Sequence, residues 1–501
     1  MAANDSSAPS STIDAEKGGG GFKDDVVATQ TDVETGLEIN TVAATALVRK
    51  LDRWIIPPVM LLYLFSFLDR VNIGNARLYG LEADLNMSGN QFQLAVSLLF
   101  ATYVLAEVPS NMVIKKLKPS RWIAFITVGW GLVATLTGVV QSYGGLLACR
   151  LVLGALEAGL FPGMCVYLTF FYTKQEIALR IGYLFVSAAV AGSMGGLLAY
   201  AIGFMDGTAG YSGWRWIFII EGIPTVVLGF LAWFWLADDS DSAYYLTEAE
   251  KELNRARKFR QIGYTVSADE LHKEDVIKGI QDWKIWAFCF GMFGIDTMLY
   301  GYSTFLPTII RGIGSWSVAQ VQALTVPCYA LGAGTYLLVA YFSDKYQKRG
   351  IAAVTFCCVA AIGYGILMTD SSPGVHYFGC FVVACGLYVA VGIPLAWLPT
   401  NNPRYGKRTY ATGMQLTFGN CSGIMAPFLY QTHEAPRYIR GHAVTLGVVL
   451  AAGVIFLSMS LYFMRRNKAR RNGEEDYLME GKSEEEIAEM GDEHPRFVFT
   501  Y

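Results

Sequence analysis

The chain has 501 residues, of which 53% are hydrophobic, 14% aromatic and only 16% charged, with a formal net charge of −3 and a mean hydropathy of +0.35. Soluble domains carry about 25% charged residues, so this composition excludes an ordinary soluble domain and belongs to a membrane protein. The nine cysteines (Cys149, Cys165, Cys289, Cys328, Cys357, Cys358, Cys380, Cys385 and Cys421) fall inside apolar runs without a histidine-supported metal spacing, and read as buried packing thiols rather than disulfides or ligands.

Residues 1–50 are polar, rich in Ser, Thr, Gly and Asp, with no apolar stretch that would make a signal peptide. They bury too little to fold and read as a disordered cytosolic tail. Apolar segments then follow at about 55–78, 93–114, 122–141, 146–172, 182–204 and 216–237. After a polar gap they resume at about 285–310, 321–343, 351–369, 376–398, 410–432 and 442–464. Each approaches or exceeds the roughly 20 residues that cross a bilayer. The expected fold is an all-α membrane protein with twelve transmembrane helices in two six-helix halves, residues 51–237 and 285–465, joined by a cytosolic linker at 238–284. Residues 466–501 read as a solvated, acidic cytosolic tail.

Basic residues set the expected orientation. Lys115, Lys116, Lys118 and Arg121 follow the second segment, Lys174 and Arg180 the fourth, and Lys345, Lys348 and Arg349 the eighth. Arg404, Lys407 and Arg408 follow the tenth, and Arg465, Arg466, Lys468, Arg470 and Arg471 the twelfth. The alternate loops hold Arg77, Arg215, Arg311, Arg437 and Arg440. The positive-inside rule places both termini in the cytosol, and the expected location is the plasma membrane. In the linker, Thr247 with Glu250 three residues on predicts a capping box and a helix. A six-plus-six arrangement predicts a site between the halves near the midplane. Asn86-Met87-Ser88 is a glycosylation sequon on the predicted outer side, close to the second segment, where an unmodified Asn is expected.

The first segment carries Asp69-Arg70 side by side. Each ionised group costs from about 2.5 kcal/mol upward at the centre of a membrane helix, so such residues mark a site or a structural ion pair. At 1.5 Å per residue, Asp69 lies roughly 13 Å in from the outer end. Glu157 of the fourth segment lies about 16 Å in, at nearly the same level, and Arg150 about 6 Å in. Arg150 and Glu157 are two turns apart and share one helix face; Asn72 and Ala76 share the Asp69 face. Desolvation disfavours the charged form of the two carboxylates and brings protonation into the neutral range, while two guanidiniums can hold a carboxylate substrate in bidentate fashion. Protonating a carboxylate would free its Arg partner for the anion, a physical route to coupled uptake. Two purely structural pairs are the alternative. Glu107 lies closer to the cytosolic side, where gating or a structural pair is expected. Glu221 sits near the outer start of the sixth segment, where half-burial is expected. Asp296 lies mid-helix in the seventh segment and faces the cavity if its helix is suitably rotated. Asn420, flanked by Gly419 and Gly423, is expected to face protein. Gly154, Ala158, Gly159 and Gly163, and Gly192 with Gly196, permit close helix approach, and Pro162, Pro307, Pro394 and Pro427 are candidate kinks.

These residues resemble the major facilitator superfamily. Ser343-Asp344-Lys345-Tyr346-Gln347-Lys348-Arg349-Gly350 is similar to its D-R-x-G-R-R loop motif, which implies gating roles for Asp344 and Arg349. The first-half copy departs from the motif: Glu107-Val108-Pro109-Ser110-Asn111 leads into Lys115-Lys116. That departure, with Asp69-Arg70-Val71-Asn72-Ile73-Gly74-Asn75-Ala76 and Arg150-Leu151-Val152-Leu153-Gly154-Ala155-Leu156-Glu157-Ala158-Gly159, is similar to the anion:cation symporter branch. Within it the chain resembles fungal allantoate permeases, a group that includes carriers of nicotinate and other small carboxylates. The resemblance spans about residues 50–470. It implies proton coupling at Asp69 and Glu157, carboxylate binding at Arg70, a supporting Arg150, and a contribution from Asn420; Asp296 joins the substrate-binding candidates.

The expected function is import of a small organic anion with protons by alternating access, by a monomer that needs no cofactor, metal or nucleic acid. An exporter of an endogenous metabolite, working as an antiporter, is the first alternative, and a non-transporting nutrient sensor the second. No nucleophile motif, phosphate loop or histidine cluster points to an enzyme, since His272, His376, His433, His442 and His494 are scattered.

Overall fold

The computed structural model describes residues 29–31, 38–262 and 272–501. Most of the leader read as disordered lies outside them. Within it, Thr29–Thr31 pairs antiparallel with Glu38–Asn40, with Thr29 opposite Asn40.

The first half contains α1 (Thr41–Leu78), the single turn α2 (Leu81–Asp84), α3 (Gln91–Lys116), α4 (Pro119–Thr137), α5 (Tyr143–Glu157), α6 (Leu160–Thr169), α7 (Lys174–Gly203) and α8 (Gly213–Trp235). Two short helices follow, α9 (Glu248–Ile262) and α10 (Lys273–Gln281). The second half contains α11 (Trp283–Ile313), α12 (Val318–Tyr346), α13 (Arg349–Met368), α14 (Pro373–Thr400), α15 (Tyr405–Met425) and α16 (Ile439–Arg471), and the single turn α17 (Glu484–Ala488) closes the sequence of helices. Among the described residues, eight helices are long and apolar enough to cross a membrane, with α5 and α6 acting as one span and Gln91–Glu107 forming a shorter apolar helix.

The helices that fall short of a continuous apolar run include α11 and α15. Every residue of α11 from Gly294 to Pro307 is buried in protein, so its Asp, Thr, Tyr and Ser side chains meet other helices instead of lipid. The lipid-type surface is carried elsewhere: Leu105, Phe125, Leu136, Phe230, Phe234, Leu338 and Val454 are all exposed. So many large apolar side chains exposed on membrane-length helices make a surface for hydrocarbon.

Small residues set the helix spacing. A Cβ on Gly154 would overlap the Leu99 carbonyl of α3, and one on Gly159 would overlap Ser110 Oγ, so α5 lies flush against α3. The span containing α5 breaks at Ala158 and Gly159, directly after Glu157. Pro162 lacks the N–H that would bond back to the Ala158 carbonyl.

The halves meet chiefly on the side away from the chain termini. Gly74 lets α1 approach the Thr304 carbonyl of α11, and Gly196 lets α7 approach Thr325 of α12. Gln93 donates to the Tyr430 carbonyl at 3.2 Å and Ser97 to the Ile424 carbonyl at 2.8 Å. Phe305 stacks on Tyr430 and meets Phe92 edge to face there, with the Arg77 guanidinium 4.5 Å over Phe92.

The linker divides between the halves. The expected capping box forms, Thr247 N–H donating to Glu250 Oε2 at 2.8 Å and Glu250 N–H to Thr247 Oγ1 at 3.4 Å. Helix α9 is tied to the first half by Lys50–Glu250 at 2.8 Å and by Arg257–Glu176. Helix α10 is tied to the second half by Arg404–Asp275 at 2.6 Å.

The acidic tail departs from the solvated end expected of it. Helix α16 runs on to Arg471, and the segment after α17 is docked on the helix ends. Asn467 exchanges two hydrogen bonds with the Phe499 backbone at 2.8 and 2.9 Å. Trp397 and Asn401 both donate to the Thr500 carbonyl. Asp492 accepts from Lys284 at 2.9 Å and Lys407 at 2.8 Å, and Phe499 stacks on Phe463 with its ring buried. Glu475, Asp492 and Glu493 are ion-paired while Glu484 and Glu486 stay exposed, and the aromatics Phe497 and Phe499 supply apolar burial that acidic composition alone does not reveal.

Candidate functional site

The site is built on α1. Its run Leu62–Leu68 is buried except for the half-buried Phe65, and the polar residues in and after it fall on two neighbouring faces. Ser66 and Arg70, four apart, share one face. Arg70 Nε donates to Glu157 Oε1 at 2.6 Å, and Ser66 Oγ donates to the same oxygen. Glu157 is fully buried and Arg70 nearly so. The face of the Arg70 guanidinium lies 4.6 Å over the Tyr103 ring of α3.

Asp69 and Asn72, three apart, point to other partners. Asn72 Nδ2 donates to Glu221 Oε2 of α8 at 2.7 Å. Glu221 is 2% exposed, so its expected half-burial is overturned. Helix α8 packs closely on α4, where Gly222 meets Thr135 and Gly131 meets Val226, and this closure seals Glu221 inside. Both carboxylate oxygens of Asp69 are buried without a hydrogen-bond partner among the described residues. Glu221, Glu157 and Arg150 all lie within electrostatic reach of Asp69.

Arg150 is 1% exposed. Its Nε and Nη2 have no hydrogen-bond partner among the described residues, and its guanidinium lies 5.4 Å from the Phe218 ring. Asp69, Arg70, Arg150 and Glu157 are therefore brought together within the first half, as depth counting anticipated. The close pair is Arg70–Glu157, while Asp69 and Arg150 form no ion pair within 4.0 Å among the described residues.

The second half completes the surroundings. Asn420 Oδ1 accepts from Tyr300 OH at 2.6 Å, and the Tyr300 ring packs 4.4 Å from Phe100 of α3. Glu107 of α3 accepts from Thr417 Oγ1 of α15 at 3.4 Å, which places it at the contact between halves. Asp296 is buried, with Oδ1 unpartnered, and its carboxyl occupies the space where a Cβ on Gly419 would stand. It lies within electrostatic reach of Tyr63 and Tyr300, on the Asn420 side of the site. Arg349 donates to the Ala396 carbonyl and to Thr400 Oγ1, ties within the second half. Asp344 lies in α12 with its side chain outside the described residues. Glu221 is the residue that sequence reasoning undervalued. The adjacent Gly222 was a signal for it, since a small residue beside a carboxylate marks a protein-facing stripe.

Between the halves a narrow space of about 20 Å³ is lined by Tyr63, Phe67, Phe185, Ala188, Leu299, Tyr388 and Val391. It is too small for an organic anion, so loading requires the halves to part. A larger cavity of about 350 Å³, lined by Glu82, Met87, Ser88, Gly89, Asn90, Phe92 and His433, touches none of the buried charges and sits at the rim opposite the termini.

The Major Facilitator Superfamily pattern matches residues 59–427. The chain is 39% identical over 427 residues to an uncharacterized transporter, C1002.16c, of Schizosaccharomyces pombe, covering 85% of each protein. It is 30% identical over 457 residues to the high-affinity nicotinic acid transporter of Saccharomyces cerevisiae, covering 90% of this chain and 84% of that one. Among solved structures it resembles a bacterial homolog of the human lysosomal transporter Spinster in an inward-facing, unoccupied conformation, with a TM-score of 0.64, 17% identity, and coverage of 82% of this chain and 98% of that one. That likeness fixes the fold and nothing further. The match over most of the chain, the transporter relatives and the apolar helix bundle agree: the chain belongs to the Major Facilitator Superfamily, as a multi-pass membrane transporter of small molecules and not an enzyme.

Proposed function

We propose that this protein imports a small organic anion together with protons, by alternating access of two six-helix halves in the plasma membrane, with both termini in the cytosol. The observation that carries the reading is the buried Arg70–Glu157 pair beside Arg150 and Asp69, neither of which has an ion-pair partner among the described residues. Glu157 occupies Arg70 while ionised. Proton binding to Glu157 removes that charge, leaves the Arg70 guanidinium free to hold a carboxylate, and lets substrate and proton load together. Asp69 serves as the second proton group. Arg150, Asn420 and Asp296 contribute the remaining polar contacts to the anion. Glu107, at the contact with Thr417, gates the passage, and Asp344 with Arg349 controls rocking of the second half.

The twelve-span count belongs to this reading: α3, α4, α11 and α15 are membrane helices whose polar content is sheltered by their neighbours. The relative named as a nicotinic acid transporter supports a monocarboxylate on a small ring as substrate. So does the aromatic setting of Arg70, with Tyr103 beneath the guanidinium. The allantoate permease resemblance adds other small carboxylates to the candidates.

The test is uptake of labelled nicotinate, allantoate, pantothenate and a sugar acid by cells expressing the protein, at two external pH values. Uptake of one of them rising at the lower pH supports the reading. Uptake of none, or efflux from preloaded cells without uptake, would replace it with the export alternative.

A further inference from the structure

Around α1 the N-terminal half buries Asp69, Glu157 and Glu221 against two guanidiniums, Arg70 and Arg150, and two further buried carboxylates face the same region, Glu107 from α3 and Asp296 from α11. The helices packed around them add little to balance this. Helix α4 has no ionisable group from Trp122 to Thr137, and α7 has none from Ile181 to Gly203 except tyrosines. Arg215 at the start of α8 is bonded to the Gly138 and Val140 carbonyls. Fully ionised, Asp69, Glu157 and Glu221 alone would exceed Arg70 and Arg150 by one negative charge in a buried interior, to which Glu107 and Asp296 add no cation, and this is strongly unfavourable. A proton bound among the three removes that excess.

Geometry sets Glu157 apart, since its Oε1 is engaged by the Arg70 guanidinium and by Ser66, and leaves Asp69 and Glu221 as the two of the three outside an ion pair among the described residues. Glu221 has one oxygen, Oε2, accepting from Asn72, while Oε1 is buried and unpartnered. A carboxylic acid suits that environment, since Oε1 can carry the hydrogen while Oε2 keeps its bond from the amide. Asn72 stands one turn from Asp69 on the same helix, and its own Oδ1 is buried and unpartnered.

We propose that Glu221 is a second reversible proton-binding site of the N-terminal half, held by Asn72 and electrically coupled to Asp69, and that the proton it binds balances the Asp69–Glu157–Glu221 cluster against Arg70 and Arg150. Its part in transport rests on the proton-coupled reading given above; the binding of the proton does not.

Infrared titration of the full-length protein in lipid nanodiscs tests this without any substrate. Wild type is expected to show a protonated-carboxyl band that disappears on raising the pH, and Glu221→Gln, which keeps an acceptor for Asn72, is expected to lose one carboxyl's share of it. Asn72→Ala, which removes the donor to Glu221, is expected to displace the titration of the same band, and it keeps the test available should Glu221→Gln fold poorly. A wild-type spectrum without a titrating buried carboxyl, or a band unchanged in Glu221→Gln and unmoved in Asn72→Ala, would overturn the proposal. A failure of anion uptake with the infrared result intact would remove the transport reading alone.

Discussion

Arg70 on α1 and Glu157 on α5 form a buried charge-assisted hydrogen bond of 2.6 Å, with Glu157 fully enclosed. Removing one member of such a pair leaves the other uncompensated, which typically costs about 3–5 kcal/mol, whereas replacing both with apolar groups is close to neutral. Arg70→Met is therefore expected to lower the unfolding midpoint of the purified protein substantially. Adding Glu157→Met is expected to recover most of that loss while transport stays absent. A double variant no more stable than Arg70→Met would mean that the pair contributes packing rather than charge.

Gly74 and Gly154 test two different packings. An Ala at Gly154 would push α5 from α3 inside one half, and overpacking of this kind costs about 1–3 kcal/mol. An Ala at Gly74 would push α1 from the Thr304 carbonyl of α11, between the halves. Gly74→Ala is expected to open the side away from the termini, and thiol labelling of a cysteine at Ser97, whose hydroxyl bonds the Ile424 carbonyl across that seam, should accelerate several-fold. An unchanged labelling rate would show that this contact does not hold the halves closed.

Depth along a helix was legible from residue counting, and rotation was not. Asp69 and Glu157 were matched in level by the 1.5 Å rise, and the structure brings them into one cluster. Which carboxylate would take Arg70 depended on helix azimuth, which sequence spacing within a single helix cannot supply. Asp296 and Asn420 were undetermined for the same reason. Glu221 stands eight residues into α8, which begins at Gly213, and it is buried by the packing of α8 on α4, a contact between helices that spacing within one helix does not display. The docked tail is hidden in the sequence because its acidic composition outweighs the alternating Phe497 and Phe499, and because the tail's partners Lys284, Trp397, Lys407 and Asn467 lie in four separate helices.

The tail is expected to respond to acid. Burial alone would push Glu493 up, but the Arg466 hydrogen bond and the charges of Lys284 and Arg466 outweigh it and hold its carboxyl at about 2, below the ordinary 4.5. A depressed value in the docked state means that the contribution is complete above the ordinary value and is lost as the pH falls through 4.5 toward about 2. Hydrogen exchange of residues 489–501 should be slow at neutral pH and accelerate across that acid window. Glu493→Gln should raise the exchange rate at neutral pH and flatten the dependence. Phe499→Ala, which empties a buried ring site, should release the tail at every pH; equal protection in Phe499→Ala would mean the ring does not anchor it.

Tyr300 donates to Asn420 at 2.6 Å, orienting an amide beside the site. Tyr300→Phe removes the donor and leaves a buried acceptor unpaired, a loss of about 1–3 kcal/mol. The expected result is a KM for the transported anion raised roughly tenfold or more, with the amount of folded protein unchanged. A KM equal to that of wild type would place Asn420 outside the anion's contacts.

Accumulation of a labelled small carboxylate, nicotinate first, in liposomes containing the purified protein and carrying an imposed proton gradient tests the central reading most directly. The expected result is gradient-driven accumulation by wild type that collapses with a protonophore and falls by roughly 100-fold or more in Arg70→Ala, as the loss of a buried charged contact implies. Accumulation indifferent to the proton gradient, or surviving intact in a folded Arg70→Ala protein, would contradict it.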